Sequence, residues 1–87
     1  NAAQSPQEKK VALDAMGNSA QPEWLPIFEG AFKDSDRSVR VASIQSLRNF
    51  PAPLSSELMG RALNDADPEV RKTAASVTEY QNLAAEN

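Results

Sequence analysis

The chain has 87 residues, nine basic and twelve acidic side chains for a net charge of −3, no histidine and no cysteine. So short a chain makes one small domain with no disulfide to hold it, and it lacks both the usual general base at neutral pH and the commonest zinc ligands. The charge has the wrong sign for neutralising a phosphate backbone, and no apolar run reaches the roughly 18 residues that span a bilayer. Nucleic acid, membrane insertion, metal and cofactor are therefore not expected. The compartment stays open, with a soluble cytoplasmic chain slightly favoured over one that has lost a signal peptide.

Residues 1–4 read as a tag remnant or a tail outside the fold. Ser5, Pro6 and Glu8 then form a capping box, in which the serine oxygen and the glutamate carboxylate each satisfy a free backbone donor; this first inner helix is expected to close near Gly17. An outer helix follows within residues 22–33, carrying Leu25, Phe28, Ala31 and Phe32. Pro26 sits awkwardly in it, because its ring clashes with the carbonyl four residues back, so a late start or a kink is expected with Glu23 to Leu25 in a loose turn.

Asp36 caps the second inner helix, whose stripe of Val39, Ser43, Ile44 and Leu47 stops before Phe50-Pro51. A second outer helix lies within residues 53–64 with Leu58, Met59, Ala62 and Leu63. Asp67 caps the last inner helix, Pro68 takes its first position, and Val70, Ala74 and Val77 continue the stripe.

These elements repeat. Asp36-Arg37-Ser38-Val39-Arg40 and Asp67-Pro68-Glu69-Val70-Arg71 match at an offset of 31 residues, which also aligns Phe28 with Met59, Phe32 with Leu63 and Asp34 with Asp65. The offset gives one domain over 1–87, or a fragment of a longer array, with repeats at about 5–35, 36–66 and 67–87. The expected fold is all-α, a right-handed α-α superhelix of five helices in about two and a half hairpin repeats, with Leu47 and Leu63 facing each other in the core.

The pattern Asp-x-x-Val-Arg-x-x-Ala-Ala, preceded by an outer helix ending in Leu-x-Asp, resembles the HEAT repeat. The short period looks most like the HEAT-like repeats related to phycobilisome lyase subunits. The resemblance implies a solenoid and a ladder between repeats, in which Arg40 meets Asp67 and Lys9 meets Asp36. Two positions depart from the pattern at the ends of the chain: Glu8 stands where Val39 and Val70 stand, and Thr78 where Met16 and Leu47 stand. A polar swap suits a terminal repeat, and the loss of flanking repeats from a longer array suits it almost as well.

Asp34-Ser35-Asp36 and Asp65-Ala66-Asp67 hint at a calcium loop, but neither is followed by the glycine and the bidentate glutamate that an EF-hand needs; helix capping is the simpler reading. No carboxylate is marked as lying in an apolar cleft, so no catalytic residue is assigned. Trp24 either closes the core with its ring or stands as an interface anchor, packing being favoured; for Tyr80 the two readings are even.

Opposite the buried stripe, the three inner helices carry Lys10 and Asp14, then Val41, Gln45 and Arg48, then Lys72, Ser76 and Glu79. A strip of mixed charge suits a protein or peptide better than a polyanion. The expected function is thus a non-catalytic binding scaffold using its concave face. The alternative is an accessory or regulatory domain of an enzyme system, as the likeness to lyase-related repeats implies.

Overall fold

The computed structural model describes residues 5–86, with side chains placed as far as Ala84. Among these residues are five α-helices: α1 (Pro6–Ser19), α2 (Leu25–Ala31), α3 (Arg37–Ser46), α4 (Ala52–Ala62) and α5 (Pro68–Glu86). A 3₁₀ turn over Pro22–Trp24 leads into α2, and another over Leu47–Asn49 extends α3. There is no strand among the described residues.

Inner helices α1 and α5 pack on either side of α3, while α2 rests on α3 and α4 rests on α5. Each outer helix therefore pairs with the inner helix that follows it. By contact, α2 goes with α3 and α4 with α5, and no outer helix precedes α1 among the described residues.

Local chemistry explains the boundaries. The Ser5 amide donates to the Glu8 carboxylate at 2.8 Å and the Glu8 amide to the Ser5 hydroxyl at 3.2 Å, which closes the capping box. The α1 helix runs past Gly17 to Ser19 and is turned by Ala20, a non-glycine residue at φ 50°, whose amide bonds Met16 O. Gly17 has a different task from ending the helix. A Cβ there would lie 2.5 Å from Ser46 O, so the missing side chain is what lets α1 close on α3. Pro26 falls at the second position of α2, where its absent N–H costs nothing, and the residues before it take the tighter 3₁₀ turn. The matching stretch of α4 has Glu57 at that place and extends a turn further back.

The core gathers Leu13, Phe28, Val39, Ile44, Leu47, Phe50, Leu58, Met59, Ala62, Val70, Ala74 and Val77. Phe28 and Phe50 meet edge to face at 5.5 Å, the preferred arrangement for two ring quadrupoles. Leu47 is fully buried, but Leu63 is 41% exposed, so the expected pair across the core does not form. Its repeat counterpart Phe32 is half-buried and packs against the core.

Candidate interaction surface

Three inner helices side by side bring the strip together. Asp14, Gln45, Arg48, Lys72, Ser76 and Glu79 are exposed, one or more from each helix. Lys10 is half-buried and its charge helps hold Asp36 ionised. Val41 is half-buried and packs against the core, so it offers a partner only part of its side chain. Arg48 folds back to donate to Gln45 O at 2.8 Å. Among the described residues, Asp14, Lys72 and Glu79 enter no ion pair.

The charged ladder between repeats is displaced from the register that the resemblance implied. Lys9 reaches Asp34 at 2.7 Å rather than Asp36, and Arg40 reaches Asp65 at 3.2 Å rather than Asp67. The reason is a division of labour within each Asp-x-Asp loop. Asp36 and Asp67 spend an oxygen on the amides of Ser38 and Glu69, capping α3 and α5. Asp34 and Asp65 accept the amides of Asp36 and Asp67 at 2.9 Å and keep their second oxygen for the cation on the previous inner helix. Arg40 also donates to Asp34 O at 2.7 Å, and Arg71 repeats that bond at 2.8 Å to Asp65 O. Asp67 does meet a guanidinium, that of Arg37 at 2.9 Å.

These bonds lower the carboxyl pKa values. Asp34 is held below the usual range chiefly by the Lys9 hydrogen bond, and Asp36 by the Ser38 hydroxyl and amide. For Asp67, desolvation pushes upward, but the Glu69 amide and Arg37 together outweigh it. On the outer layer Glu29 is lowered by the hydrogen bond and charge of Arg61, which also contacts Glu57. Every resolved carboxyl shift is downward, the opposite of what a general acid needs at neutral pH. Among the described residues no group of three or more acids converges as a metal site would.

Trp24 is half-buried, packs against the core and donates from Nε1 to Ser19 Oγ at 2.9 Å, so its ring is a structural plug. Tyr80 is 53% exposed beside Arg48 and Pro53, on the rim of a shallow groove. Sequence reasoning passed over Gln81, whose buried amide donates at 3.0 Å towards Leu47 O, Phe50 O and Ser55 Oγ. The 31-residue offset would have flagged it, since Gln81 stands where Phe50 stands. It also passed over the grip of Arg61 on Glu29 and Glu57, of which only the latter was readable, as an acid four residues ahead of a base.

Paired helices with recurring Asp caps, stacked in two layers, define a helical-repeat solenoid. The family description of HEAT repeats matches residues 1–78, and the chain belongs to the HEAT-repeat family. No curated protein and no solved structure matches it.

Proposed function

We propose that the chain is a non-catalytic scaffold that holds a protein or peptide along the strip formed by Asp14, Gln45, Arg48, Lys72, Ser76 and Glu79. HEAT repeats commonly serve as protein-interaction scaffolds. The observation that carries the reading to this face is the contrast between the two layers. On the outer layer Arg61 clasps both Glu29 and Glu57, whereas on the inner layer Asp14, Lys72 and Glu79 are exposed and enter no ion pair among the described residues. Alternating signs across neighbouring helices favour a polar partner of matching pattern and reject a uniform polyanion.

The accessory-domain alternative rests on the 31-residue period, which resembles that of lyase-related repeats. It uses the same face, the partner then being an enzyme subunit.

The test is capture of a partner on the immobilised chain, followed by Arg48→Glu with Lys72→Glu. Arg61 is unsuitable as the outer-layer control because its reversal would break two ion pairs, so Lys33→Glu is used instead. The double reversal weakens the partner and flattens its salt dependence, while Lys33→Glu does neither. Equal losses from both would refute the assignment of the face.

A further inference from the structure

The 31-residue offset makes the junction of α1 with α3 equivalent to that of α3 with α5, yet the two are closed differently. At the first, Gly17 has no side chain and Asn49 crosses to it, its amide donating to Gly17 O at 3.3 Å. At the second, Arg48 stands in the place of Gly17 and Tyr80 in that of Asn49, and among the described residues no hydrogen bond joins the two. Both side chains are exposed. A groove of about 470 Å³ opens between the α3–α4 turn, with Pro51 and Pro53, and the late turns of α5, with Tyr80 and Ala84. Of the residues lining it only Arg48 is charged. Its guanidinium spends one N–H on Gln45 O and enters no ion pair among the described residues, so the edge from Nε to Nη2 is free for a carboxylate. This groove is not the face on which repeats stack. That face of α4 and α5 is the recess bordered by Met59, Thr78 and Asn82, where the counterparts of the first two, Phe28 and Leu47, are fully buried. At 3.6 residues per turn Tyr80 lies about 160° round α5 from both Thr78 and Asn82, so a helix laid in that recess meets α5 on the side away from Tyr80.

We infer, resting on the reading of the inner layer as a docking face, that this groove holds an extended acidic segment of a partner protein, with a proline or other apolar side chain against Tyr80 and a carboxylate on Arg48. Three features set the occupant. A lining that carries one cation and no acid, in a chain of net charge −3, calls for a negative group. The exposed ring of Tyr80, facing Pro51 and Pro53, is the kind of wall on which an extended proline-containing segment packs with little conformational freedom left to lose. The free guanidinium edge takes both oxygens of one carboxylate and so fixes where along the segment the acid must fall. A second copy of this chain offers no such segment. Its Pro22-Glu23 and Pro68-Glu69 steps are wound into helix starts, and Asp34, Asp36, Asp65 and Asp67 are engaged in capping and in the ladder.

The probe is the synthetic peptide acetyl-Leu-Pro-Pro-Glu-Pro-amide, titrated into the ¹⁵N-labelled chain at low and high salt beside the same peptide with Gln in place of Glu. The expected result is saturable shifts at Arg48, Asn49, Tyr80 and Ala84, binding that weakens as salt rises, and affinity about fivefold lower for the Gln peptide. Arg48→Gln brings the acidic peptide down to the affinity of the Gln peptide and removes its salt dependence. Tyr80→Ala weakens both peptides about tenfold, while Tyr80→Phe, which keeps the ring, binds as the parent does. Both positions are exposed, and melting temperatures close to the parent's separate a lost contact from a lost fold. Lys33→Glu on the outer layer leaves the peptide alone. No shifts at millimolar peptide, shifts centred elsewhere, or equal affinity for the two peptides would overturn the site. Self-association abolished by Tyr80→Ala would overturn the occupant and put a second copy in its place. The two readings fail separately: if the strip is wrong, the reversal at Arg48 and Lys72 acts on a captured partner no more than Lys33→Glu does, while the peptide still binds and still needs Tyr80. If the groove is wrong, the peptide fails while the double reversal still acts.

Discussion

Gln81 offers the sharpest test of how the stack is closed at its C-terminal end. Its amide nitrogen has two hydrogens and faces three acceptors at 3.0 Å, two of them main-chain carbonyls, so the donor end of the amide must point inward. Gln81→Ala removes these donors unequally. Leu47 O keeps the Phe50 amide at 3.0 Å, and Ser55 keeps its long contact to Ala52 O at 3.5 Å. Among the described residues Phe50 O accepts no other bond, and stranding one buried carbonyl costs about 1–3 kcal/mol. The deleted methylene adds about 1 kcal/mol, for a total of about 2–4 kcal/mol. That is a large part of the stability of so small a domain. Urea denaturation at neutral pH, followed by helical circular dichroism, measures it directly. Gln81→Glu sharpens the test, since a carboxylate would face two carbonyl oxygens. It should cost more than alanine at neutral pH and regain stability, relative to the parent, as acid protonates it. A loss under about 0.5 kcal/mol for alanine, or a glutamate as stable as glutamine, would show that the amide bridges nothing.

Leu47→Ala should cost about 2–5 kcal/mol and Leu63→Ala under about 1, because one side chain is fully buried and the other 41% exposed; equal losses in denaturation would contradict the packing. Gly17→Ala gains about 1 kcal/mol of helix propensity but forces a Cβ to 2.5 Å from Ser46 O, and the net effect on the urea midpoint should be a loss of about 1–2 kcal/mol. Gly60→Ala, with nothing within 4 Å of its Cβ, should instead stabilise slightly. Glu29, Asp34, Asp36 and Asp67 all have folded pKa values below their unfolded ones, so their contribution is complete above about pH 5 and disappears as pH falls through 4 and below. Thermal melts across this window should show the fall, and Asp34→Asn should make it shallower.

Helix number, the Ser5–Glu8 box, the caps at Asp36 and Asp67 and the late start at Pro26 were legible because each depends on residues within a turn or so of one another. The ladder register was not. Asp34 and Asp36 are both acids two positions apart, and the choice of partner for Lys9 turns on which of them is consumed by capping Ser38, a matter of loop geometry. Gly17 was misread for a related reason. A glycine late in a helix suggests a left-handed cap, whereas here the requirement comes from Ser46 on another helix. Leu63 shares its helical stripe with Met59 and Ala62, but periodicity tells which side a residue faces and not whether anything lies beyond it. The inner strip was legible as a set of positions, since exposure opposite a buried stripe follows from helix geometry, except at Val41, whose half-buried state depends on a neighbouring helix.

The two ends of the stack differ in chemistry as well as in covering. At the C-terminal end, Thr78 and Gln81 occupy the places of Leu47 and Phe50, and the amide of Gln81 turns back to bond the carbonyls of those same two residues. The amide of Gln81 thereby ties α5 to the backbone ahead of α4, although Leu63 and Tyr80 stay exposed nearby. At the N-terminal end, Met16 and Ile27 keep the apolar character of Leu47 and Leu58, with no polar replacement and no lid among the described residues. Stacking one copy head to tail on another would set Thr78 against an apolar slot, leaving a hydroxyl that already lacks a hydrogen bond still without one.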